Sequence, residues 1–139
     1  MLKKINLQFI LSYLGLFPFL IIVLDNFFFK VLNFNIVKDF LTFYAIIIFV
    51  FIGAVNWNLK KNIPLIIVII GFMPSFVSVF IIIMFLNLYE VINYLIILFI
   101  IQLLIDGFIY RKKNDRIVFY QLRLPLTLTI VLSLIFIQL

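Results

Sequence analysis

The stretch VINYLIILFIIQLLIDGFIY (residues 91–110) decides what kind of fold this chain adopts. From Val91 to Ile105 it holds twelve Val, Ile, Leu or Phe, worth about −4 to −7 kcal/mol on a membrane-insertion scale. That gain outweighs one Asn, one Gln and an acid near the end, so the segment is expected to cross a bilayer. Four further apolar runs mark out residues 7–24, 40–57, 64–87 and 122–138. At 1.5 Å rise per residue, 18 residues cover about 27 Å, close to the thickness of the hydrocarbon core. The expected fold is all-α: a single transmembrane domain over residues 1–139, a bundle of about five helices with no separate soluble domain.

The composition agrees. Of 139 residues, 68% are hydrophobic and 12% charged, with a mean hydropathy of +1.39, whereas soluble domains run near half apolar and a quarter charged. There is no Cys, which excludes disulfides and thiolate chemistry, and no His, the commonest general base and metal ligand. The reading is therefore of a non-enzymatic protein with no cofactor and no metal site. The net charge of +6 does not point to nucleic acid, because the basic residues lie in short clusters between apolar runs, where loops meet lipid headgroups.

Those clusters set an orientation. Lys3, Lys4, Lys60, Lys61, Arg111, Lys112, Lys113, Arg116 and Arg123 fall on one side after five crossings, nine of the eleven basic residues. Lys30 and Lys38 fall on the other, with Asp25, Asp39 and Glu90. The positive-inside rule then puts the N-terminus in the cytoplasm and the C-terminus outside. The first run follows Lys3 and Lys4 as a signal peptide would. It is too long for such a segment and lacks a small-residue cleavage site, so an uncleaved anchor is expected. Residues 25–39 are too polar to span and too apolar to float, and read as an interfacial segment. Trp57, Tyr110 and Tyr120 at one boundary, and Tyr89 and Tyr94 at the other, fit interfacial aromatic belts. No internal repeat is visible, and an odd number of spans argues against a simple inverted-repeat transporter.

Polar groups inside spans are the informative ones, because hydrocarbon offers them no hydrogen bonds. Gln102 and Asp106 are four apart and share a helix face. Asp106 reads either as a buried acid that binds a cation or relays a proton, or as an interfacial carboxylate, solvated or paired with Arg111 or Arg123. Pro125 suits the first turn of a helix, which would leave Arg123 just outside its positive N-terminal end. An arginine there needs an anion, either lipid phosphate or Asp106. Thr127 lies one turn deeper. Asn56, Trp57, Gln102, Asp106 and Arg123 all fall in one half of the membrane and form the candidate polar cluster. In the third span Gly71, Pro74, Ser75 and Ser78 suggest a close helix-packing face, with Gly53 a further contact point.

Five motifs occur in order: GLFPF, FIGAVNW, MPS, QLLID and YQLRLPLTL. Together they resemble the family of small membrane proteins labelled domain of unknown function 3429, which includes a mitochondrial transmembrane relative. The resemblance runs from about Leu14 to Ser133, and the last two motifs are the most specific. The family pattern carries His before the Trp and Gly after it, where this chain has Asn56 and Asn58. It carries basic residues after the fourth-span Asp, where this chain has Gly107 and Phe108. A role that needs a titratable imidazole is thus not carried over. The resemblance implies a multi-span protein of the bacterial inner membrane and brings no activity with it. The expected partners are the lipid bilayer and other membrane proteins or further copies of the chain. Two functions follow: an accessory or assembly factor of a membrane complex, or a small oligomeric transporter or channel subunit built on the polar cluster.

Overall fold

The computed structural model describes residue 10 and residues 12–55, 64–86, 90–110 and 116–138. Regular structure among these is helical, with no strand. Five helices are long and apolar enough to cross a membrane: α1 (Ser12–Phe29), α2 (Phe34–Val55), α3 (Leu65–Leu86), α4 (Ile92–Ile109) and α5 (Arg116–Phe136). At 18 to 22 residues each they are about 27–33 Å long, matched to the hydrocarbon core. The protein is an all-α, five-span membrane protein.

Three boundaries differ from hydropathy. Segment 25–39, expected as a separate interfacial piece, is divided between the helices on either side. Residues Asp25–Phe29 continue α1 as a π-helical turn, closed by the Lys30 N–H donating to the Asp25 carbonyl at 2.6 Å. The Asp25 carboxylate then accepts the N–H groups of Val31 and Leu32, at 3.3 and 3.1 Å, and so satisfies the backbone just past the helix end. Lys30 itself is left-handed, with φ 48°. Asn33 caps α2: its Oδ1 accepts the Asn35 N–H at 3.0 Å, so this helix starts six residues before the expected Phe40.

The third difference is in α5, which begins at Arg116 and not near Leu122. Pro125 lies well inside it and not in a first turn. Lacking an N–H, Pro125 cannot bond the carbonyl four residues back, and its ring crowds that carbonyl. The helix widens into a π turn over Phe119–Arg123 immediately before it. The carbonyl left over, that of Gln121, accepts a hydrogen bond from the Tyr13 hydroxyl of α1.

The chain forms two compact units, one comprising Thr42–Leu95 and the other the residues up to Leu41 together with those from Ile96 onward. In the second of these, α1 and α5 are packed parallel. Tyr13 meets Gln121 near the start of both helices, and the Phe27 and Phe136 rings meet edge-to-face at 5.8 Å near their ends. The buried residues follow helical spacing: Leu16, Phe19 and Ile22 on α1, and Thr127, Ile130, Val131 and Leu134 on α5.

In the unit Thr42–Leu95, α2 and α3 run antiparallel. Phe43 packs edge-to-face on Phe85 at 4.8 Å near one end of the pair, and Gly53 lies against Gly71 and Pro74 near the other. A Cβ on Gly53 would stand 2.5 Å from Pro74 Cγ and 3.0 Å from the Gly71 carbonyl oxygen, so only glycine permits this approach. The opposite surface of α3 is a ladder of exposed rings, Phe72, Phe76 and Phe80, four residues apart.

Candidate functional site

Gln102, Asp106 and Tyr110 recur at every fourth position near the end of α4 and therefore lie along one helix face. The Gln102 side-chain amide donates to Asp106 Oδ1 at 3.1 Å. The π turn of α5 brings Arg123 to the same place, with its Nε 3.7 Å from Asp106 Oδ2. That separation exceeds a hydrogen bond, so this contact is an ion pair held by charge. The guanidinium also lies over the Tyr110 ring, 5.9 Å from its centroid, within cation–π range. Asp106 is 1% exposed, and Arg123 and Gln102 each 5%. A carboxylate and a guanidinium thus sit dry about one turn in from the end of α4, each offsetting the other's loss of water.

The local sequence explains the geometry. Asp106 is followed by Gly107, against whose open side the Phe119 ring packs: a Cβ there would meet that ring at 3.4 Å. Phe119 opens the π turn that carries Arg123. Thr127, one turn further along α5, is buried. Thr129 and Ser133 hydroxyls donate to carbonyls four residues back, to Pro125 and Thr129, at 2.8 Å each. They therefore add no polar demand to the site.

Of the candidate cluster, the structure brings Gln102, Asp106 and Arg123 together. Asn56 and Trp57 lie outside the described residues. Of the candidate packing set, Gly71, Pro74 and Ser78 are buried on one stripe of α3, with Ser78 Oγ donating to the Pro74 carbonyl at 2.7 Å, and Ser75 is half-buried beside them. Tyr110 and Tyr13 are the residues that sequence reasoning missed. Tyr110 reads as a belt residue until its spacing from Asp106 is noticed. Tyr13 is found only by asking where the carbonyl orphaned by Pro125 finds a donor. No group of three or more His, Cys, Asp or Glu is arranged to hold a metal ion among the described residues.

Five apolar helices and a buried, charge-compensated cluster near one helix end define a multi-pass membrane protein. The family follows from comparison: a family model described as "Protein of unknown function (DUF3429)" matches residues 6–139, and the chain belongs to that family. No curated protein and no solved structure matches the chain.

Proposed function

We propose that this chain is a non-enzymatic, multi-pass protein of the bacterial inner membrane that serves as an accessory or assembly factor of a larger membrane complex. The observation that carries the reading is the disposition of the Asp106 carboxylate. Gln102 on its own helix takes one oxygen, and Arg123 on α5 faces the other. Groups that cost so much to bury are engaged in tying two helices together. What the chain turns outward is apolar helix surface, such as the phenyl ladder of α3. In this reading the basic loops face the cytoplasm.

A second reading is favoured by one specific feature. A carboxylate 1% exposed beside a glutamine is also what a proton or cation pathway uses. Five helices enclose little space, so such a transporter would work as an oligomer.

Extraction from native membrane without detergent, followed by native electrophoresis and mass spectrometry, separates the two. Migration in a stoichiometric complex with other membrane proteins is expected, together with loss of that complex's assembly when the gene is deleted. The chain found only with copies of itself, and driving a proton or cation flux in liposomes that Asp106→Asn abolishes, overturns the proposal in favour of transport.

A further inference from the structure

The junction of α1 and α2 carries a cavity of mixed lining beside an apolar groove. The cavity, about 290 Å³, is lined by Asp25, Asn26 and Lys30 together with Leu32, Phe34 and Val37. The groove, about 360 Å³, runs between Pro18, Ile21 and Ile22 of α1 and Ile36, Val37 and Phe40 of α2, and its lining exposes no polar surface. Leu32 and Val37 line both, so the two adjoin. Pro18 is twelve residues before Lys30, about 18 Å along α1, close to half of a ~30 Å hydrocarbon core. A charged head and one leaflet's depth of apolar groove are the outline of a lipid.

We propose that this cavity and groove hold one phospholipid, with its phosphate against the Lys30 ammonium and an acyl chain between α1 and α2. Lys30 is the cation that selects the phosphate. The Asp25 carboxylate beside it keeps its charge but turns its oxygens to the Val31 and Leu32 N–H groups, whereas the Lys30 side chain lines the cavity and is exposed. The backbone adds a second, independent observation. Lys30 is the one non-glycine at positive φ among the described residues, a conformation its Cβ disfavours and glycine adopts freely. The left-handed conformation is the usual cap of a helix end, where glycine is the commoner residue, and what glycine would lack here is an ammonium. The location suits it too, because Lys30 lies where two spans end, at headgroup level. The inference is independent of the assembly role proposed above.

Native mass spectrometry of the full chain in detergent, titrated with palmitoyl-oleoyl phosphatidylglycerol, tests it. Parallel arms use diacylglycerol with the same chains and inorganic phosphate. One phospholipid retained per chain is expected, with neither the headless lipid nor phosphate alone held comparably. Lys30→Gln should weaken retention about tenfold, the scale of one lost charge-assisted contact, while Lys30→Arg preserves it. Ile21→Trp, which fills the groove, should also displace the lipid. Lys30→Gly separates binding from folding: it relieves the backbone, so the lipid-free protein should melt higher, yet bind less. Equal binding of diacylglycerol, or unchanged retention in both Lys30→Gln and Ile21→Trp, overturns the proposal. So does a photo-crosslinker at Ile36 that captures a second copy of the chain in place of lipid.

Discussion

Removing either member of the Asp106–Arg123 pair would leave the other charge buried and uncompensated, which can cost about 3–5 kcal/mol. An exposed pair would cost about 1 kcal/mol or less, and exposures of 1% and 5% put this one in the first class. Arg123→Gln and Asp106→Asn should each lower the melting temperature in detergent sharply, with the double substitution recovering much of the loss. Purely additive effects in that cycle would show that the two groups do not stabilise each other. Tyr13 makes a finer point. Its hydroxyl serves the Gln121 carbonyl that Pro125 leaves without a partner, in an exposed hydrogen bond, so Tyr13→Phe should cost about 0.5–1.5 kcal/mol. In a Pro125→Ala background the helix supplies its own N–H, and the same substitution should cost little. An equal penalty in both backgrounds would sever the link between the proline and the tyrosine. The spacing of Gln102 and Asp106 was legible in the sequence because four residues make a helix turn. The sequence also offered Asp106 as a partner for Arg123, beside lipid phosphate, but not the geometry that decides between them. The helix of Arg123 starts earlier than hydropathy implies, and the π turn before Pro125 rotates the arginine to a place that ideal helix geometry does not assign.

Among the elements, α2 and α3 depend on their closest approach. With 2.5 Å between a Gly53 Cβ and Pro74 Cγ, Gly53→Ala must push the two backbones apart. Overpacking of this kind costs typically about 1–3 kcal/mol, and a matching fall in thermal stability is expected. On α3 the two serines should separate. Ser78 is 4% exposed and bonded to the Pro74 carbonyl, so Ser78→Leu should destabilise more than Ser75→Leu at its half-buried neighbour. Equal melting of the two variants would remove the burial argument. Small residues at helical spacing marked this face in the sequence, because close packing in lipid needs them. Helix ends were less visible. Asn33 and Asp25 fix where α2 begins and α1 ends through one and two side-chain hydrogen bonds, and a hydropathy average over many residues does not register so few bonds.

At the scale of the whole molecule, we propose that the five apolar helices cross the membrane in alternation, which puts the two termini on opposite sides. The parallel packing of α1 and α5 within their unit agrees with it, since both helices must then cross in the same sense. Nine of the eleven basic residues on one side give the proposed direction. Reporter fusions active only outside the cytoplasm should be positive after Asn33 and Leu139, and negative after Lys61 and Asn114. Inverted signals at all four sites would reverse the orientation. Expected signals after Asn33 and Lys61, but an active reporter after Asn114 and a silent one after Leu139, would remove α3 with its internal proline, and silence after both Asn114 and Leu139 would remove α5.

Membrane residence and the number of helices were determined by the sequence alone, because the gain from apolar residues adds along a segment and does not depend on what the segment touches. The meeting of Arg123 with Asp106, of Tyr13 with Gln121 and of Gly53 with Pro74 was decided only by the tertiary structure. Each depends on how a helix is rotated about its own axis and where it starts. Composition carries neither quantity, and a single proline, a capping asparagine or a missing Cβ sets both.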